Sequence, residues 1–215
     1  MDVVIDNLDT ILGGFRNTLM LTLIAGGISL VLGTLLAVFR VGPIPPLRWA
    51  GTAYVTLIRN TPLTLIFFFT TFGLPKLDFS MSFFTRAVVA LAAYTSAFVC
   101  EVVRSGINAV APGEIEASRS VGLNFPQTLR TVVLPQAFRS VIPPLNSTMT
   151  ALAKNTAIAV AFSVFEATAI LRRLQNEFAS ATFPLLISTA IGYLVITLTI
   201  SGAFNLIERR VAIRR

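Results

Sequence analysis

Two stretches without a single charged side chain limit what this chain can become. None lies between Arg16 and Arg40, a gap of 23 positions, or between Glu177 and Glu208, a gap of 30. About 20 apolar residues of helix cross the hydrocarbon core of a bilayer, so both gaps are long enough. Inside that core no water satisfies backbone groups, which leaves helices as the way to cross. Of 215 residues 13% are charged, where a soluble domain carries about 25%. The expectation is an all-α integral membrane protein.

The same inventory weakens several function classes. There is no histidine, which removes imidazole metal ligands, imidazole general bases and Ser-His-Asp triads. The one cysteine, Cys100, lies in an apolar stretch and is expected to pack as a small hydrophobe. No GxxxxGK[ST] segment is present, so the chain has no phosphate-binding loop of that kind. The net charge of +7 reports topology rather than nucleic-acid binding, and no metal site is expected. The start of the chain is acidic and lacks a basic n-region, so the first apolar run is expected to be a retained span, not a cleaved signal peptide.

Five segments are long enough to cross, at about 17–39, 53–72, 86–103, 148–170 and 183–207. Charge-free stretches are shorter in the third and fourth. With the C-terminus inside, eleven of the 17 Lys and Arg residues fall on the cytoplasmic side and five outside, Lys154 being within the fourth span. The positive-inside rule then gives N-out, C-in. This divides the chain into an external segment 1–14, a membrane domain 15–208 and a basic cytoplasmic tail 209–215. In the first span Ala25, Ser29 and Gly33 recur every four residues, a small-residue face suited either to a second subunit or to another span of this chain.

The longest polar stretch, about 105–144, separates spans three and four. Pro112 and Gly113 can open a short helix, with Glu114 and Glu116 near its positive end. Gly122 is the expected left-handed stop. Asn124 and Gln127 then form a capping-box pattern for a second helix, expected to end at Leu134-Pro135. The result is a compact cytoplasmic protrusion of two short helices around a bend.

Within it, Glu116-Ala117-Ser118, Gly122, Val132 and Leu134-Pro135 resemble the EAA motif of ABC importer permeases: E-A-A, three residues, G, nine residues, I, one residue, L-P. Ser118 replaces the second alanine and Val132 the isoleucine. Further stretches are similar to polar amino-acid permeases, and most closely to glutamate-uptake permeases. These are Arg59-Asn60-Thr61-Pro62-Leu63, Phe72-Gly73-Leu74-Pro75, the run from Glu101 to Ile107, and Lys154-Asn155-Thr156. The resemblance covers nearly the whole chain and implies a type I ABC importer permease fold of five helices with a cytoplasmic coupling helix.

It also implies partners. These are a cytoplasmic ATPase dimer that binds ATP and Mg²⁺ itself, a second permease subunit (identical or related), an external amino-acid-binding protein, and the lipid of a bacterial cytoplasmic membrane. Neither cofactor nor catalytic residue is expected in this chain. In the coupling loop Glu116 would contact the ATPase, Ala117 and Ser118 would allow close approach, and Leu134-Pro135 would fix the exit.

Candidates for the substrate path are Arg59, Asn60, Thr61, Lys154, Asn155, Thr156 and Glu166. An intramembrane ammonium is costly unless it reaches water, a carboxylate or the interface. Lys154 is therefore expected either to face a cavity or to reach the cytoplasmic interface near a helix start after Pro143-Pro144. Glu166 is expected near the outer end, facing a cavity mouth or a binding-protein lobe, or lying at the interface near Arg172 and Arg173. Arg59, just before Pro62, is a gate, an assembly contact or an interface anchor. Glu101 and Arg104 can pair on one helix face. The competing reading, a secondary transporter or channel without an ATPase, would show coupling-ion ligands or an internal repeat, and an intramembrane enzyme would show a convergent nucleophile and base. The sequence offers neither pattern.

Overall fold

The computed structural model describes residues 2–211. A short α1 (Asp2–Asp6) is followed at once by α2 (Leu8–Val41). α3 (Pro45–Arg59) and α4 (Leu63–Phe68) meet at a sharp bend, and α4 runs on through a π-turn, Phe69–Gly73, and a 3-10 turn, Leu74–Leu77. α5 (Phe83–Asn108), α6 (Pro112–Ser120) and α7 (Phe125–Thr128) come next, then a π-turn, Leu129–Val133, leading into α8 (Leu134–Asn155). A 3-10 stretch, Thr156–Phe162, precedes α9 (Ala167–Glu177), and α10 (Thr182–Val211) completes the described chain.

The long helices pack in a defined sense. α2 and α5 lie parallel: Leu21 and Ala25 join the cluster around Leu91, Gly33 meets Ser96 and Val99, and Arg40 reaches Glu101. A Cβ on Gly33 would sit 2.6 Å from the Val99 Cβ, so this contact exists because residue 33 has no side chain. Ala25 and Ser29 are buried along with it. The small-residue face thus packs within the chain. Two parallel helices need a return segment between them, and the α3–α4 unit supplies it. α8 runs antiparallel to α5, with the Ser140 hydroxyl reaching the Gly106 carbonyl at 3.3 Å. α10 is parallel to α2, because Leu185 packs with Ile11 at one end while Ile200 and Phe204 pack near Met149 further along. The first and last described residues therefore lie at opposite ends of the bundle.

Three helical segments, Leu8–Val41, Phe83–Asn108 and Ala179–Val211, are long and apolar enough to cross a membrane, and the bent pair makes a fourth if counted as one span. α8 has the length but carries a more polar sequence. The second expected span is not a continuous helix: Pro45–Arg59 and Leu63–Leu77 meet at 104°. Pro62 cannot donate into the helix, and the carbonyls it leaves are capped locally. The Asn60 amide donates to Thr56 O (2.8 Å), and the Thr61 hydroxyl donates to Leu57 O (2.7 Å).

The fourth expected span also differs. Its helix starts at Leu134, fourteen residues earlier than 148, and holds Pro143 and Pro144 in its interior. It stops at Asn155, where Thr156 turns its hydroxyl back to Ala153 O at 2.7 Å, and the chain continues as 3-10 until Ser163 takes a left-handed conformation. Consequently the 105–144 stretch is mostly helix, not loop. Residues 8–14 belong to α2, Arg209 and Arg210 to the last turn of α10, and 212–215 lie outside the described residues.

Candidate functional site

The protrusion between α5 and α8 is held by local bonds. Gly122 has φ +86, a conformation that L side chains resist, and this turns the chain after α6. Asn124 accepts from the Gln127 amide at 3.0 Å, and the Gln127 side chain accepts from the Asn124 amide at 2.9 Å, completing the capping box. The Ser118 hydroxyl is buried, donating to Ile115 O at 2.7 Å and lying 3.0 Å from the Thr128 hydroxyl. Ser118, expected as a small residue allowing close approach of a partner, thus ties α6 to α7. Gln136 of α8 hydrogen-bonds Glu114 and fastens the knob to the bundle.

Glu116 and Ala117 stay exposed. Ala117, Ser118 and Val132 line one shallow groove of about 480 Å³. Leu134-Pro135 ends nothing: Pro135 sits in the first turn of α8, where a missing N–H is tolerated, and the π-turn carries the chain through. α7 of the knob and α8 are one continuous helical element from Phe125 to Asn155.

That element also lines a cavity. Between α5 and α8 lies a space of about 270 Å³ walled by Tyr94, Thr95, Phe98, Ser147, Thr148 and Asn155, with Ala151 and Leu152. Its polar groups are neutral hydroxyls, the Tyr94 phenol and one amide. Of the expected path residues, Asn155 lies on it. Thr156 is fully buried and spends its hydroxyl inside the helix. Lys154 is exposed in the last turn of α8, on the helix face shared by Ser147 and Ala151. Because α8 begins at Leu134, Lys154 lies about 30 Å along it.

Below the cavity three guanidinium groups converge on one carboxylate. Arg40 of α2 approaches Glu101 Oε1 at 2.6 Å, Arg104 approaches Oε2 at 2.7 Å through Nη2 and 3.2 Å through Nε, and Arg59 of α3 stands 3.4 Å from Oε1. The Arg59 guanidinium also lies over the Phe98 ring, 5.4 Å from its centroid. The pairing of Glu101 with Arg104 follows from their spacing; Arg40 and Arg59 come from other helices. Cys100, next to Glu101, is buried among Leu36, Ala37, Val55 and Ala97, as expected for a packed thiol.

Glu166 departs from both expectations. It is fully buried, facing neither a cavity mouth nor the interface beside Arg172 and Arg173. Its carboxylate accepts from the amides of Thr168 (3.0 Å) and Ala169 (2.9 Å), capping α9, and from the Tyr193 hydroxyl at 2.8 Å. The adjacent Ala167 amide donates to the Thr18 hydroxyl of α2 at 3.2 Å. Glu166 closes a corner between α2, α9 and α10. Its signal was present, a carboxylate ahead of an amphipathic run, but the span reading that placed a helix across it hid the cap.

Sequence reasoning also passed over Val121 and Phe125. These apolar side chains at the tip of the knob are 78% and 68% exposed, a surface that a soluble monomer does not favour and a docking partner covers.

A family model for binding-protein-dependent transport system inner membrane components matches residues 29–213. The probable glutamine ABC transporter permease protein GlnM of Bacillus subtilis is 39% identical over 98% of this chain and 97% of its own length. The glutamate transport system permease protein GluC of Corynebacterium efficiens is 37% identical over 96% of each. A crystal structure of an amino acid ABC transporter with histidines superposes with a TM-score of 0.88 at 32% identity, covering 96% of both chains. An inward-facing MetNI methionine ABC transporter, at 22% identity and a TM-score of 0.74, shares the fold. The chain belongs to the binding-protein-dependent transport system inner membrane components, permease subunits of ABC importers that work with a separate ATPase and a substrate-binding protein and are transport components, not enzymes.

Proposed function

We propose that this chain is the membrane-spanning permease of an ATP-driven uptake system for a polar amino acid of the glutamate and glutamine class, in a bacterial cytoplasmic membrane. Two such chains, identical or related, enclose the path. An ATPase dimer, holding ATP and Mg²⁺, docks on the knob formed by α6 and α7, with Glu116, Ala117, Val121 and Phe125 as its contact surface. An external binding protein delivers the substrate. The relatives named for glutamine and glutamate transport support the substrate class.

One observation carries the mechanism. α7, the second helix of the knob, and the α8 wall of the cavity are a single helical element without a break from Phe125 to Asn155. A helix transmits displacement only if it does not melt, and the capping box, the Ser118–Thr128 contact and the Gln136–Glu114 bond keep its base ordered. ATP-driven movement of the docked partner therefore shifts Ser147, Thr148 and Asn155 relative to α5, opening and closing the cavity alternately. Each state is stabilised by a different bound partner. The substrate path runs along this cavity, with Asn155 as its amide contact and Lys154 at its outer end.

Uptake by the reconstituted complex, measured with a panel of labelled amino acids, tests this reading. ATP-dependent uptake of glutamate or glutamine is expected. Strong uptake of a basic amino acid alone would remove the substrate class, and uptake without ATP would remove the mechanism.

A further inference from the structure

We propose that Arg59 is a transferable cation, which leaves Glu101 to bind a carboxylate of the transported amino acid when that molecule occupies the cavity between α5 and α8. The proposal rests on the amino-acid uptake reading above and deepens it by naming the charged contact.

The first argument is charge. Among the described residues all three ion pairs end on Glu101, so one negative charge faces three positive ones. One carboxylate among three partly buried guanidinium groups leaves excess positive charge, and a second anion stabilises the cluster. The second is inequality within the cluster. Arg40 and Arg104 hold Glu101 at 2.6 and 2.7 Å, distances of charge-assisted hydrogen bonds. Arg59 stands at 3.4 Å, shares Oε1 with Arg40, and keeps 44% of its side chain exposed. It is the guanidinium whose departure costs Glu101 least.

The third argument is position. Tyr94, Phe98 and Glu101 are spaced i, i+4, i+7 along α5 and share one face. Tyr94 and Phe98 line the cavity, and Arg59 lies over the Phe98 ring. Glu101 is thus the next step toward the knob, and Arg59 stands behind the Phe98 wall of the space. No acidic residue lines that space, so a substrate carboxylate arriving there finds neutral donors, with Arg59 as the cation behind Phe98 and Lys154 on the neighbouring face of α8. The volume of about 270 Å³ lies below the roughly 300–1,000 Å³ of drug-sized sites, which suits a smaller ligand.

The test uses the permease–ATPase complex in lipid nanodiscs, without the binding protein, and measures equilibrium binding of labelled L-glutamate. Arg59→Gln is expected to weaken binding at least about 10-fold, the loss of one charged hydrogen bond, and Arg59→Lys by less. Glu101→Gln, which removes the competing carboxylate, is expected to tighten it. Wild-type affinity in Arg59→Gln, or weaker binding in Glu101→Gln, would overturn the proposal. Arg40 and Arg104 still satisfy Glu101 in the Arg59 variants, and co-purification of the ATPase verifies assembly.

A second measurement needs no variant. Phenylglyoxal modification of Arg59, read by peptide mass spectrometry, should slow in saturating L-glutamate, while that of the exposed Arg48 does not. Equal modification with and without glutamate would overturn the proposal. A wild-type complex that takes up no amino acid sinks the uptake reading as well; uptake that is intact while Arg59→Gln binds normally sinks this inference alone.

Discussion

Two corners of the chain are built by the same backbone device, a left-handed residue followed by a side-chain cap, and they differ in how they are stabilised. At the knob, Gly122 is left-handed (φ +86) and Asn124 caps the next helix; at the far end of the bundle, Ser163 is left-handed (φ 60) and Glu166 caps α9. The first corner is exposed, so water can satisfy what the cap does not, and a neutral Asn suffices. The second is buried. There the amides of Ala167, Thr168 and Ala169, buried or half-buried, are met by Thr18 and by a fully buried carboxylate that Tyr193 backs. Burial raises the cost of an unmet donor, which explains why the inner corner recruits two other helices and the outer one relies on its own residues.

The comparison can be broken most directly at Glu166. Glu166→Ala leaves two helix amides unmet and takes from the Tyr193 hydroxyl one of its two partners, the Thr168 hydroxyl remaining, and is expected to cost about 3 kcal/mol. Thermal unfolding of the detergent-solubilised chain should show the loss. A drop no larger than that of Asn124→Ala would mean that burial does not separate the two corners.

Gly122→Asp has no neighbouring atom within 4 Å to clash with, so its cost is conformational, about 1–2 kcal/mol. It is expected to leave insertion intact and uncouple ATP hydrolysis from uptake, measured as transported substrate per phosphate released. Normal coupling in that variant counts heavily against the knob as a transmission element.

Tyr193→Phe removes one hydrogen bond to Glu166 while keeping the ring, which packs edge-on against Phe15 with centroids 5.7 Å apart. A loss of about 1 kcal/mol is expected, and Glu166→Ala combined with Tyr193→Phe should cost less than the sum of the two. Asn124→Ala gives the smallest stability effect, about 0.5–1 kcal/mol for an exposed cap. Hydrogen exchange at the Gln127 and Thr128 amides localises it, and protection unchanged there would show that Gln127 holds the corner alone.

Legibility followed the range of the interaction. The knob could be read because its determinants lie within four residues of each other: Pro112 at the start of α6, Gly122 at the turn, and Asn124 with Gln127 at the cap. The Glu101–Arg104 pair is equally local. The same local rules misplaced what depends on distant partners. They predicted a break after Pro143-Pro144, yet α8 continues through both, with Val141 and Ile142 buried in the bundle. Asn60 and Thr61, taken as path residues, donate to carbonyls of their own helix at the bend before Pro62. Neither the 104° turn nor the 3-10 stretch after Asn155 has a signature in hydropathy, because both leave the apolar content of the segment unchanged.

By itself the sequence determined the solvent in which this protein folds, the helical class that follows from it, and the bent cytoplasmic knob. Hydropathy and capping act over a few residues and are written wherever those residues stand together. Only the tertiary structure decided that Arg40 and Arg59 meet at Glu101, 61 and 42 positions away, and that Glu166 lies buried under Tyr193. The choice among possible charged and polar partners is made by which helices pack side by side, and that packing, set here by parallel α2 and α5 closing over Gly33, is a property of the whole bundle.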